Sequence, residues 1–177
     1  MDGKVQRYRI FRSSTFSLDR TILNDNNDVE YAKSSNALGF NKQLVETATD
    51  EVMWAHDGRQ LCSENRSYTS DTSGLGLTLS RTHGCHMPWY QFNWDNEGYI
   101  WKCHGFGSFG FDCYRVHDNY RVAKYHSSYL KQVLGTLTLY LMPGSSPGLK
   151  ELLIFSIIDL VEVRVAKARL HGPIGLL

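Results

Sequence analysis

Short runs of alternating apolar and polar residues, separated by turn-forming residues, make up most of this chain. Residues 90–94 alternate, the alternation stops at the Asp-Asn-Glu-Gly sequence 95–98, and it resumes over 99–103. The same arrangement recurs from Tyr8 to about Tyr140. Alternation with a period of two, joined by turns that tolerate positive φ, predicts antiparallel hairpins. Because so many short strands must hide their edges, the pattern predicts a closed antiparallel β-barrel.

The pattern changes after residue 141, where a Pro-, Gly- and Ser-rich linker leads into a long apolar segment. We predict one helix over about 147–169, with Ser146 as its N-cap and Pro147 at its first position. Apolar side chains occupy nearly every face of this segment, which is typical of a buried helix. The polar interruptions are Ser156, Asp159, Glu162 and Arg164. A carboxylate on a buried helix must be paired, so Asp159 and Glu162 either have partners or mark the barrel rim where the helix emerges.

Composition and charge narrow the class of protein. The chain has 177 residues, of which 42% are hydrophobic, and a formal net charge of +1. These values indicate one globular domain over residues 1–177, which the alternating pattern makes mainly β, and they argue against a nucleic-acid-binding protein. No run of 18 apolar residues is present, so no transmembrane segment is expected. The absence of an apolar signal sequence and the presence of only four cysteines predict free thiols and a cytoplasmic location, with peripheral membrane attachment as an option.

A many-stranded antiparallel chain that ends in one apolar helix resembles the tubby C-terminal-like superfamily, which includes tubby proteins, phospholipid scramblases and plant LURP-one-related proteins. The matching segments are 8–12, 22–25 with 29–32, 99–102, and the helix 149–165. The chain also looks like the uncharacterised fungal members of this group. The resemblance implies a closed barrel around a central helix. It also implies a lipid-binding role, because tubby domains bind phosphoinositide headgroups through paired basic side chains and scramblase relatives associate with membranes.

Histidine and aspartate residues lie close in sequence to an aromatic-rich stretch. The aromatic residues that would line a pocket for a small apolar ligand are Trp89, Tyr90, Trp94 and Trp101. The candidate acid–base residues beside them are His86, His104, Asp112 and His117. In the alternative interpretation, the aromatic side chains fill the barrel against the helix and the histidines lie on turns.

A metal site is a weaker candidate. Its ligands would be residues of the types that bind zinc: His83, Cys85, His86, Cys103 and His104. No Cys-x-x-Cys spacing is present, and free cysteines are often buried, so we predict no metal and no cofactor. The sequence Gly-Phe-Gly-Ser-Phe-Gly at 105–110 matches a nucleotide-binding pattern, but no helix pattern follows it. A glycine-rich loop is therefore the better interpretation.

Basic residues flank the first predicted strand at Arg7, Arg9 and Arg12, and alternation puts Arg7 and Arg9 on one face. Such a face suits an anionic lipid headgroup or a protein partner. The leading hypothesis is a non-enzymatic cytoplasmic module that binds an anionic lipid headgroup, a small apolar ligand or a protein partner, and no nucleic acid. The alternative hypothesis is a small barrel enzyme of the isomerase, cyclase or hydrolase type that uses the histidine and aspartate residues above.

Overall fold

Twelve strands followed by one helix make up the residues that the computed structural model describes, which are 4–12, 19–36, 41–56, 65–70, 74–82, 88–104, 110–128, 133–146 and 148–171. The strands are β1 Lys4–Arg12, β2 Arg20–Leu23, β3 Val29–Ser34, β4 Lys42–Glu46, β5 Glu51–His56, β6 Asn65–Thr69, β7 Gly76–Thr82, β8 Trp89–Trp94, β9 Glu97–Cys103, β10 Phe111–Arg115, β11 Arg121–Ser127 and β12 Val133–Leu141. The helix, α1, spans Leu149–His171.

Each strand pairs in antiparallel fashion with the next strand along the chain. In addition, β1 pairs with β12, so that Tyr8 lies opposite Leu137 and Lys4 lies opposite Leu141. The sheet is therefore closed and has no free edge on which another chain could add a strand. The prediction of a closed antiparallel β-barrel is confirmed.

Tight turns form where the Asn and Asp clusters predict them. Asp95 and Asn96 join β8 to β9, and their φ angles are 51° and 61°. Asn119, between β10 and β11, has a φ of 54°. Aspartate and asparagine tolerate this left-handed conformation better than most side chains, which is why these residues can reverse the chain so sharply.

The two ends of the barrel differ in the length of their connections. At the entry end, where β12 leads into α1, the connections include the short turns 47–50 and 95–96. At the far end, β3 ends at Ser34 and β4 begins only at Lys42, so more residues separate these two strands. The helix α1 runs from the entry end towards the far end, where Arg164 contacts Cys103 at the last position of β9.

The helix fills the inside of the barrel. Every side chain from Leu152 to Val161 is at most 3% exposed, which confirms the prediction of a buried helix. The ring of Phe155 packs edge-on against that of Tyr68, with 5.6 Å between centroids. Trp101 donates a hydrogen bond from Nε1 to Ser156 Oγ at 3.1 Å, so the one hydroxyl on this stretch of helix is satisfied.

The helix begins two residues later than the sequence predicts. Gly148 has a φ of +80°, which is not helical, and its carbonyl accepts the hydrogen bond from the Leu152 N–H at 3.0 Å. The N-cap position is therefore Gly148 and not Ser146. The hydroxyl of Ser146 instead accepts a hydrogen bond from Trp94 Nε1 at 3.1 Å. The predicted first residue, Pro147, lies outside the described residues.

Candidate functional site

The barrel directs its basic side chains inward on one side and outward on the other. On β2, β3, β4 and β6, the inward-facing position nearest the far end is basic. These four residues, which we call the inner basic cluster, are Arg20, Lys33, Lys42 and Arg66, and each is at most 5% exposed. Because side chains alternate along a strand, each lies on the same face as an apolar neighbour two residues away, as Lys33 does with Tyr31.

Two carboxylates from α1 meet the inner basic cluster. Asp159 Oδ1 lies 2.6 Å from Lys42 Nζ and 3.1 Å from Arg66 Nη2, and Asp159 also contacts Arg66 Nε and accepts a hydrogen bond from Tyr68 OH at 2.9 Å. Glu162 lies one helical turn further on, so both carboxylates face the same strands. Asp159 is fully buried, so the interpretation that it marks the barrel rim is wrong and the paired interpretation is right.

Glu162 is shared by three cations. Its carboxylate lies 3.0 Å from Arg20 Nη2, 3.0 Å from Lys33 Nζ and 3.0 Å from Lys42 Nζ. Lys42 therefore bridges Asp159 and Glu162 and joins the two groups of ion pairs into one network.

The network shifts the pKa values of its members in different directions. Burial by itself raises the pKa of Asp159, but Lys42 and Arg66 outweigh it and hold that pKa well below its usual range. Burial lowers the pKa of Lys33, and Glu162 offsets only part of this effect. Burial also lowers the pKa of His56, which keeps this histidine neutral at physiological pH. Its Nδ1 lies 2.6 Å from the carbonyl oxygen of Ser67.

The other side of the barrel carries its basic residues outside. The register of neighbouring strands places six residues in one row across β8 to β12 and β1. In strand order they are Trp89, Lys102, Asp112, Lys124, Thr138 and Arg7, and Asp112 is the one acidic member of the row. Together with Arg9 and Arg121 on neighbouring rows, the cations form a surface that we call the outer basic face: Arg7, Arg9, Lys102, Arg121 and Lys124.

Aromatic rings are interleaved with the cations of the outer basic face. Lys102 Nζ lies 5.0 Å from the ring centroid of Trp89 and 4.9 Å from that of Tyr114. The guanidinium of Arg121 lies 5.1 Å from the ring centroid of Tyr140. These distances are within the range of cation–π interactions. Trp89 remains 43% exposed, which is unusual for so large an apolar side chain.

The predicted aromatic pocket residues are divided between the two faces of the sheet. Trp89 faces outward, whereas Tyr90, Trp94 and Trp101 face inward and are at most 8% exposed. The inward three belong to the core around α1. The structure therefore places these three as the alternative interpretation expects, in which aromatic side chains fill the barrel.

The predicted acid–base residues are only partly brought together. His104 Nε2 lies 2.9 Å from Asp112 Oδ2 at the far end, and Tyr114 OH donates to the same oxygen at 3.1 Å. A histidine held by a buried carboxylate has the geometry of a general base and its orienting group. His117, in contrast, lies at the entry end, where its Nδ1 is 2.7 Å from Glu97. His86 lies outside the described residues.

The predicted basic strand is arranged as alternation requires. Arg7 and Arg9 are both exposed and lie on the outer basic face. Arg12, in contrast, lies opposite Arg20 in the register of β1 and β2, at the far end beside the inner basic cluster.

The metal candidates do not form a site in the part of the chain that can be described. His83, Cys85 and His86 lie outside it. Cys103 is 6% exposed, and its Sγ contacts Arg164 and lies 3.4 Å from the carbonyl oxygen of His104. Within the described ranges, no three His, Cys, Asp or Glu side chains are grouped as metal ligands. Cys103 and Cys113 are free thiols.

Sequence reasoning identified the two helix carboxylates but missed their basic partners on the strands. A usable signal is present: a basic residue stands two positions from an apolar residue at one end of four short strands, as in Lys42 and Leu44 or Arg66 and Tyr68. Read together with the carboxylates of α1, this repetition predicts inward-facing cations.

An open groove lies at the entry end. It has a volume of about 470 Å³ and is lined by the linker before α1 together with Gln6, Leu141, Lys150 and Glu151. Lys150 is already engaged there, since its Nζ lies 2.9 Å from Glu30 and 3.4 Å from Glu151. Across the described ranges, no helix is both long and apolar enough to cross a lipid bilayer.

Comparison with solved structures finds the same fold in a plant protein. The crystal structure of a protein from Arabidopsis thaliana matches with a TM-score of 0.62 over 92% of this chain and 93% of that chain. The two sequences are 12% identical, so the match shows a shared fold alone. No protein-family model and no curated protein matches the chain.

Proposed function

We propose that this protein is a non-catalytic binding module that attaches to an anionic membrane surface through its outer basic face. The observation that carries this proposal is the row across β8 to β12 and β1, in which Lys102, Lys124 and Arg7 follow Trp89 and alternate with Asp112 and Thr138. The chain as a whole has a net charge of only +1, so this concentration of positive charge is local. A local basic surface attracts anionic lipids even when the net charge of the protein is small.

The positive charge of the outer basic face is large enough to give measurable binding to an anionic membrane. Each Lys or Arg near an anionic membrane contributes about 1 kcal/mol of attraction. Five cations opposed by Asp112 and by Asp25, whose Oδ2 accepts a hydrogen bond from the Arg7 backbone N–H at 3.1 Å, therefore correspond to about 3 kcal/mol, or roughly a 150-fold increase in partitioning over a neutral membrane. This attraction falls with added salt, because exposed charges are screened.

The aromatic residues favour a membrane over a nucleic acid as the anionic partner. Single-stranded nucleic acids bind by stacking their bases on exposed aromatic faces. Here Lys102 lies over the rings of Trp89 and Tyr114, and Arg121 lies over the ring of Tyr140. A partly exposed tryptophan beside cations instead suits the lipid headgroup region, where aromatic side chains are enriched. The resemblance to the tubby-like superfamily, which includes membrane-associated proteins, supports the same proposal.

Vesicle sedimentation tests this proposal. The protein should sediment with vesicles of phosphatidylcholine and phosphatidylserine but not with phosphatidylcholine alone, and raising NaCl from 50 to 500 mM should release it. Lys124→Gln should lower the partition coefficient about fivefold, since it removes about 1 kcal/mol. Arg115→Gln, which removes a cation at the entry end, is the matched control and should leave partitioning close to that of the wild type.

Two results would overturn the proposal. One is equal sedimentation with neutral and anionic vesicles, which would show that the outer basic face does not direct binding. The other is a failure to bind either vesicle. If the protein then binds a single-stranded oligonucleotide and Lys124→Gln weakens that binding, the face is assigned to nucleic acid.

A further inference from the structure

Two exposed histidines stand on the outer basic face beside its lysines. His104 directly follows the last residue of β9, and His126 lies on β11. Each stands two residues from a lysine of that face, His104 from Lys102 and His126 from Lys124, so each lies on the same side of the sheet as its lysine. The outer basic face therefore carries titratable groups next to its permanent charges.

The two histidines belong to one row of the sheet. The backbone N–H of His104 donates to the carbonyl oxygen of Gly110 at 2.9 Å, and His126 is the register partner of Thr136, which lies opposite Arg9. A Cβ at Gly110 would lie 3.6 Å from both Cβ and Cδ2 of His104, so the imidazole ring lies over the glycine. In strand order the row is His104, Gly110, His126, Thr136 and Arg9, and none of these five residues is acidic.

The charged neighbours of His104 include the carboxylate that opposes the cations of the face. His104 Nε2 lies 2.9 Å from Asp112 Oδ2, which also accepts a hydrogen bond from Tyr114 OH and lies 3.8 Å from Arg121 Nη1. Lys102 is the neighbour on the same strand. A proton on His104 would therefore place a positive charge directly beside Asp112 and balance it.

The charged neighbours of His126 are mainly cations. Its direct neighbours on β10 and β12 are uncharged, and Lys124 precedes it on the same face of β11. Arg9 lies beyond β12 in the same row, and Asp112, the register partner of Lys124, lies diagonally across on β10. A proton on His126 would therefore extend the area of positive charge towards the far end.

We infer that protonation of His104 and His126 strengthens the attachment of the outer basic face to anionic membranes, so that binding is tighter at pH 5.5 than at pH 7.5. Histidine is the side chain that ordinarily changes its charge between pH 8 and pH 5. Two protons add two positive charges to a face whose five cations are opposed by Asp112 and Asp25. This inference rests on the proposed function and adds to it a regulation by pH.

Sedimentation with vesicles of phosphatidylcholine and phosphatidylglycerol at pH 7.5 and pH 5.5 tests the inference, because the phosphodiester of phosphatidylglycerol stays ionised at both values. At constant ionic strength, the partition coefficient of the wild type should rise roughly 25-fold, since each added charge corresponds to about fivefold. His104→Gln and His126→Gln should each retain a rise of about fivefold, and the double variant a rise of less than about twofold. His117→Gln, which removes the histidine that pairs with Glu97 at the entry end, is the matched control and should respond as the wild type does.

The inference and the membrane proposal fail in different ways. Binding of the wild type to anionic vesicles that is equal at both pH values would overturn the inference and leave the membrane proposal standing. A full rise in the double variant would also overturn it, because the response would then come from other groups. An equal rise with vesicles of phosphatidylcholine alone would overturn it too, since added positive charge cannot explain binding to a neutral surface. No binding to anionic vesicles at either pH would overturn both.

Discussion

The substitution Asp159→Asn would test whether the buried ion pairs stabilise the helix inside the barrel. Asp159→Asn keeps the shape of the side chain but removes the negative charge that Lys42 and Arg66 share. Lys42 retains Glu162 at 3.0 Å, whereas Arg66, which is 1% exposed, loses its carboxylate partner. In this variant, the buried guanidinium of Arg66 therefore has no negative charge beside it to balance its own.

The expected loss of stability follows from this geometry. Removing one partner of a buried ion pair costs about 3–5 kcal/mol, because the other charge remains buried. In a chain of this length, about 2–4 °C of melting temperature corresponds to each kcal/mol. Asp159→Asn should therefore lower the melting temperature by roughly 6–20 °C.

Urea unfolding followed by tryptophan fluorescence measures this loss, because Trp54 and Trp101 are at most 1% exposed and report on the core. The matched control is Asp118→Asn, which removes an exposed carboxylate from a pair with Arg115 and should leave the unfolding midpoint nearly unchanged. Combining Asp159→Leu with Arg66→Met removes both charges of this buried pair and should recover much of the lost stability. Equal midpoints for Asp159→Asn and Asp118→Asn would refute the reasoning.

Two further predictions concern pH and the start of the helix. The folded state holds the pKa of Asp159 below the value of about 4 that it has when unfolded, so this stabilisation is complete above about pH 4 and is lost as the pH falls further towards the folded pKa. Unfolding midpoints between pH 6 and pH 2.5 should therefore fall less steeply in Asp159→Asn than in the wild type, and parallel curves would contradict this. Gly148→Ala should destabilise the protein more than Gly144→Ala in the same unfolding assay. Both glycines have a φ near +80°, but a Cβ at Gly148 would lie 3.2 Å from Trp94 Cζ2, whereas a Cβ at Gly144 would meet nothing within 4 Å; equal losses would show that the Trp94 contact does not matter.

Local patterns were enough to predict much of the fold. Alternation over β8 and β9, with Asp95 and Asn96 between them, identifies a hairpin because side-chain period and turn conformation are properties of neighbouring residues. The apolar faces of α1 likewise predict burial without reference to any partner. The start of α1 was less predictable, since both Ser146 and Gly148 suit an N-cap. Contacts of the linker with Trp94 accompany the choice of Gly148.

The candidate sites could be predicted from local sequence to different degrees, because some of their residues meet only through contacts between distant segments. Alternation placed Arg7 and Arg9 on one face, but their row with Lys124 and Lys102 exists only because β1 pairs with β12 and closes the barrel. Similarly, His104 and Asp112 meet across one hairpin, whereas His117 lies at the opposite end because each strand reverses the direction of the chain.

The sequence by itself determined the strands, their turns and a helix too apolar to stay in water, because each follows from the period of side chains along a few residues. Only the tertiary structure decided that Lys33 and Lys42 point into the barrel. A lysine at a strand end is ordinarily solvated, and burial becomes tolerable here because carboxylates 129 and 117 residues away, Glu162 and Asp159, arrive on the helix that fills the barrel. That pairing depends on the closure of the sheet around α1, a relation between distant segments that no local pattern contains.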